Sequence, residues 1–220
     1  MNKEYIFDTA VALFRHQGIR ATRMDDVAEF LHMSKRTLYE QFPSKEKFIV
    51  ACIEYEMKKE LETVDRLEYK MNSPLKFMSK LYLHSIRYLS SFHPSFFKDL
   101  KRFPSCNKEL DRYISALRVR FNEVLLECIH LELCIKDCDT FLFSAFLSIR
   151  LKDIKNGGIY PQKEKAPGVS NFVIKSMLMG YMTEKGRKLF LIGSNGFILK
   201  YKIFDSESNR CIIYNFMKHT

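Results

Sequence analysis

Few folds accommodate the stretch from Thr22 to Lys47, which sets two helix starts, a tight turn and a helix stop close together. Thr22 is a suitable N-cap whose hydroxyl accepts from the free amides of a first turn, and Asp25 adds a carboxylate at the positive helix end. Val27, Ala28 and Leu31 recur at helical spacing as an inward stripe, while Asp25, Asp26 and Glu29 face water. Ser34 is a second N-cap. Leu38 and Phe42 form an i, i+4 apolar pair on the helix it opens, whose other faces carry Lys35, Arg36, Thr37, Glu40 and Gln41. Pro43 disfavours helical geometry in the residue before it, so this helix closes near Phe42 and Ser44 caps a third.

Two short helices joined by His32-Met33-Ser34, the second opening with Lys-Arg-Thr, have the layout of a helix-turn-helix whose recognition helix enters the DNA major groove N-terminus first. Lys35, Arg36 and Thr37 are then placed to reach base edges or phosphates. Tyr39 offers a hydroxyl on the same side, and Lys45 at the next helix start is placed to clamp the backbone. Thr22 and Arg23 complete the candidate DNA-contact set. By spacing alone, an ordinary helical hairpin with a solvated basic face fits the same residues.

Longer motifs separate the two readings. The chain contains Ile6-x-x-x-Ala10-x-x-Leu13-Phe14-x-x-x-Gly18, then Thr22-x-x-x-Asp26-Val27-Ala28, then Ser34-Lys35-x-Thr37-Leu38-Tyr39-x-x-Phe42-Pro43-Ser44-Lys45-Glu46. Together, over Ile6 to Ala51, these resemble the DNA-binding domain of the TetR family of bacterial transcriptional regulators. The resemblance implies a homodimer of all-α subunits on a palindromic operator in double-stranded DNA. It further implies a repressor that lets go when a small molecule, here expected to be apolar, enters the C-terminal domain.

Charge does not by itself point to the helix-turn-helix. The chain carries a net +10, yet residues 1–60 balance ten Lys and Arg against ten Asp and Glu, and the excess is greatest after residue 150. Lys35, Arg36, Lys45 and Lys47 form only a local basic patch. No apolar run approaches the roughly 20 residues of a membrane span, and no signal-peptide core opens the chain. A cytoplasmic protein without membrane contact is expected.

The rest of the chain reads as helices. Residues 3–17 carry Ile6, Ala10, Leu13 and Phe14 on one face, with Gly18 as the stop. The helix from Ser44 runs to about Tyr69, a lever from the DNA into the second domain, where small tilts change the separation of half-sites about 34 Å apart. Pro74 starts a helix reaching about Phe92, Pro94 a short one, and a long one spans about Cys106 to Leu133. Asp139 caps another to about Lys152, a polar loop covers residues 156–168, and Ser170 starts the next. The resemblance places residues 139–152 and 170–190 in a four-helix dimer interface. Leu189 to Ile192, the turn Gly193-Ser194-Asn195-Gly196 and Phe197 to Phe204 read as a short β-hairpin. The expected organisation is a DNA-binding domain at 1–50, a helical ligand-binding and dimerisation domain at 51–190 and an atypical tail at 191–220.

No effector-binding residue can be named. Phe77, Tyr82, Tyr88, Phe92, Phe96, Phe97, Phe103, Tyr113 and Phe121 suit the walls of an apolar pocket and equally a plain core. The alternative regulator is redox-responsive, with Cys134 and Cys138 sharing a helix face and switching DNA affinity on oxidation. A thiol enzyme built on Cys128 and His130 is a weaker reading, since at i, i+2 these residues point to different helix faces. The sequence shows neither a Gly-rich phosphate loop, a Ser/His/Asp signature nor HExxH spacing. It is read as a non-enzyme, with no cofactor and no metal.

Overall fold

In the computed structural model, residues 2–156, 166–192, 200–205 and 210–215 are described. Asn2 caps α1 (Lys3–Gln17) by accepting from the Glu4 amide, and α1 buries Ile6, Ala10, Val11 and Phe14. Gly18 closes the helix at φ 87°, its N–H donating to the Phe14 carbonyl at 3.0 Å.

Thr22 does not cap the next helix. Helix α2 (Met24–Phe30) is capped at Arg23, whose backbone N–H donates to the Asp26 carboxylate at 2.7 Å. Thr22 is buried, and its hydroxyl donates back to the Gly18 carbonyl at 2.8 Å, where it satisfies the end of α1. The turn to α3 (Lys35–Gln41) passes through His32 at φ 50°, with the Met33 N–H donating to the Ala28 carbonyl. Ser34 caps α3 by accepting from the Thr37 amide at 3.0 Å. Ser44 does the same for α4 (Lys45–Tyr69) through the Lys47 amide at 3.2 Å.

Helix α4 packs on α1 and continues into the second unit, made of α5 (Pro74–Ser90), α6 (Pro94–Leu100), α7 (Pro104–His130), α8 (Thr140–Lys155), α9 (Ala166–Tyr181) and α10 (Glu184–Ile192). Proline opens α5, α6 and α7, where its missing N–H is no loss. Helix α5 lies central, against α4, α7, α8 and α9. Asp139 caps α8 by accepting from the Leu142 amide. Residues 166–168, expected in a loop, belong to the first turn of α9; residues 157–165 lie outside the described ones.

The tail is corrected too. Leu189 to Ile192 end helix α10 and form no strand, since a short apolar run does not distinguish the two states and Glu184 starts a helix that carries it. The strand pair that does form is β1 (Lys200–Asp205) with β2 (Arg210–Asn215), antiparallel, Lys200 opposite Asn215. The expected turn at residues 193–196 lies outside the described residues. Among the described residues no helix is long and apolar enough to cross a membrane.

Candidate nucleic-acid interface

Helix α3 is held from beneath and bare above. Leu38 is fully buried, and Phe42 sits between Phe7 of α1 and Phe48 of α4, with ring centroids 5.7 and 4.9 Å away. Lys35, Arg36, Thr37, Tyr39, Glu40 and Gln41 are all exposed. A seven-residue helix has little stability of its own, so this aromatic clamp fixes its angle to the scaffold.

The two cations at its start already have partners. The Lys35 ammonium lies 2.7 Å from Asp25, whose hydrogen bond and charge raise its pKa above the ordinary lysine range. Arg36 pairs with Glu40 one turn on at 2.9 Å. Across α2 and α3, Asp25, Asp26, Glu29 and Glu40 outnumber Lys35 and Arg36. Lys45, half-buried, donates to the Arg20 carbonyl at 3.4 Å; burial lowers its pKa, against the opposing pull of Asp99 and Asp26. Arg23, the N-cap of α2, is exposed. Thus Arg23, Lys35, Arg36, Thr37 and Tyr39 reach the surface and Lys45 stands at its edge, whereas Thr22, 1 % exposed, is turned inward.

Residues 6–52 match the family model for bacterial regulatory proteins of the tetR family. This chain carries a TetR-family helix-turn-helix domain. The whole architecture agrees. A transcriptional regulator of the TetR/AcrR family from Thermobifida fusca superposes with a TM-score of 0.60 at 22% identity, over 82% of this chain and 98% of that one. A transcriptional regulator from Cytophaga hutchinsonii gives 0.66 at 20% identity over 82% and 98%. The regulator FadR from Bacillus subtilis, solved in complex with stearoyl-CoA, gives 0.60 at 14% identity over 81% and 99%. No curated protein sequence matches the chain. Among the described residues, the TetR-like fold is helical apart from the β1–β2 pair of its tail.

Within the TetR-like fold, a polar cluster joins the helix-turn-helix unit, through α1, to the second helical unit. Glu56 and Glu60 stand one turn apart on α4, both buried. Glu56 meets Arg15 of α1 at 2.5 Å and accepts from the Tyr88 hydroxyl at 3.1 Å. Glu60 lies 2.6 Å from Nε2 of His84 and accepts from Tyr113 at 3.4 Å. Arg15 also donates to Ser91 and lies 4.3 Å above the Phe92 ring. Sequence reading missed this cluster; the available signal was a pair of glutamates at i, i+4 on the inward side of α4.

The cysteine readings change. Cys134 and Cys138 share no helix face, because they lie in the turns between α7 and α8, where Cys134 bridges to Met182 in extended geometry. The cysteines that meet are Cys128 and Cys134, both buried, with the Cys134 N–H donating to the Cys128 carbonyl at 3.2 Å; each thiol acts on the other, raising the pKa of Cys128 and lowering that of Cys134. Burial pushes the Cys106 thiol up to about 12 and Cys138 up to about 11. Among the described residues no group of three or more His, Cys, Asp or Glu is placed to hold a metal ion.

Proposed function

We propose that this TetR-family protein is a sequence-specific repressor that binds a palindromic operator as a homodimer and is released by a small, largely apolar effector. The observation that carries the reading is the presentation of α3, whose entire outer face is exposed while Leu38 and Phe42 anchor it. In this reading Lys35, Arg36 and Thr37 meet base edges. Arg23, Tyr39 and Lys45 meet phosphates, and Thr22 supports them from inside. Replacing Tyr39 and Lys45 together with Ala weakens binding to operator and random duplex alike and lowers the slope of log K against log salt by about 1, the share of one lysine–phosphate contact. Fluorescence anisotropy over a salt series measures it, and an unchanged slope removes Lys45 from the phosphate contacts.

The homodimer draws support from α8, which exposes Phe141, Leu142, Phe146 and Ile149, four large apolar side chains within nine residues. A two-fold operator requires a two-fold protein. Phe146→Asp with Ile149→Asp is expected to yield a monomer by sedimentation equilibrium and at least a tenfold loss of operator affinity; a persisting dimer places the interface elsewhere.

Support for an effector in the regulatory domain is twofold. The fold is shared with a regulator solved with an acyl-CoA, and the aromatic interior has a few convergent polar groups at Glu60, His84 and Tyr113, the composition of ligand sites. The aromatic rings pack closely on each other, with Phe92 and Phe96 stacked at 4.1 Å, so an effector would enter by parting them. The redox alternative loses its named pair, and the Cys128–Cys134 contact is closed to solvent.

A further inference from the structure

The surroundings of the helix-turn-helix raise an electrostatic question. Helices α2 and α3 together hold four acids and two bases, and both bases are paired with acids of the same two helices. Attraction for polyanions must therefore come from elsewhere on this face of the protein. Among the described residues, a concentrated source lies beside the helix-turn-helix. Between the α1–α2 corner and α6 lies an open cleft of about 630 Å³, lined by Arg20, Arg23, Lys98 and Arg102 together with Gln17 and Ser95.

Arg20, Arg23, Lys98 and Arg102 are exposed, and among the described residues none makes an ion pair. Asp99 is the single acid of the lining, and its carboxylate is buried and accepts the Arg20 backbone N–H at 2.9 Å. That bond holds the α1–α2 corner against α6 and so fixes two cations of one domain opposite two of the other. Four like charges converging on one cleft repel one another unless an anion is shared among them. The guanidinium groups of Arg20, Arg23 and Arg102 supply the fork-shaped donors that phosphate oxygens take, and Ser95 adds a hydroxyl at the wall.

We infer that the cleft between the α1–α2 corner and α6 is a phosphate-binding site bridging the two domains, with Arg20, Arg23, Lys98 and Arg102 as its cations. Two sources carry that chemistry. One is a backbone phosphate of the bound duplex, reached because Arg23 belongs both to the cleft and to the proposed DNA contacts and Lys45 bonds the Arg20 carbonyl at its border. The other is a phosphorylated small molecule, whose seating would lock α6 to the DNA-binding domain. Only the first source rests on the DNA-binding reading.

The test uses the full chain and a Lys98→Ala/Arg102→Ala variant; both side chains are exposed, and a Lys98→Gln/Arg102→Gln variant checks that any loss follows charge. Random-duplex affinity is measured over a salt series, and thermal midpoint is followed with added pyrophosphate against sodium chloride of equal ionic strength. A salt slope lowered by about 2 in both variants assigns the cleft to duplex phosphates. An unchanged slope, with a saturable rise in midpoint from pyrophosphate that both variants lose, assigns it to a free phosphorylated ligand. An unchanged slope with pyrophosphate no better than chloride overturns the inference. Wild-type protein that binds no duplex at all sinks the repressor reading instead, and the pyrophosphate arm still decides the cleft.

Discussion

Arg15→Met destabilises the protein by about 3 kcal/mol, the lower end of the range for stripping one partner from a buried ion pair. The Glu56 side chain is only 9% exposed, and Arg15 is its nearest cation at 2.5 Å. Methionine keeps most of the apolar stem but leaves the carboxylate with the Tyr88 hydroxyl alone. It also removes the guanidinium from above the Tyr88 and Phe92 rings, at 4.9 and 4.3 Å. Denaturation in urea measures the loss. Because much of the penalty is an orphaned charge, Arg15→Met/Glu56→Gln should be more stable than Arg15→Met alone. A double variant no better than the single would show that ring contacts, not charge, hold the junction.

Gly18→Ala should cost a similar amount, about 3 kcal/mol, for two separable reasons. With φ 87° and ψ 165° the residue sits where only glycine is at ease, and strain of this kind costs about 1–3 kcal/mol. A Cβ there would also come within 2.2 Å of the Ser95 hydroxyl oxygen on α6, which is held at 2.9 Å from His93. A loss of that size lowers the thermal midpoint by roughly 9 °C for a chain of this length. In a Ser95→Ala background the steric part disappears and the backbone part stays, so about half of the shift should return. Full recovery would mean the backbone accommodates alanine freely; no recovery would mean the contact with α6 is already soft.

Local chemistry is what the sequence made readable. Ser34 and Ser44 cap the helices they precede, Leu38 and Phe42 face inward, and Asp139 opens α8, because each is decided within four or five residues. Thr22 shows the limit of that logic. Its hydroxyl had two local uses, starting α2 or closing α1, and the Gly18 carbonyl won, leaving the cap to Asp26 through the Arg23 amide. Leu189 to Ile192 failed for a different reason, since four apolar residues satisfy either period. The Arg15–Glu56–Tyr88 junction and the cleft were out of reach altogether. Arg20 and Asp99 are bonded across 79 positions, and nothing near either residue announces the other.

On the proposed reading, in which Lys35 and Arg36 meet base edges, their pairing with Asp25 and Glu40 bears on how such a protein finds its target. Over unrelated DNA these two cations have little to gain, because leaving a carboxylate for a mismatched base edge exchanges one partner for a poorer one. Only where the bases offer two good acceptors does the swap become favourable. Attraction to the duplex at large is then left to groups off the recognition helix, whose grip falls steeply with salt and carries no sequence information. If those residues read bases as proposed, a chain arranged in this way would travel along DNA loosely held, its reading side chains paired with their own carboxylates, and tighten only on arrival.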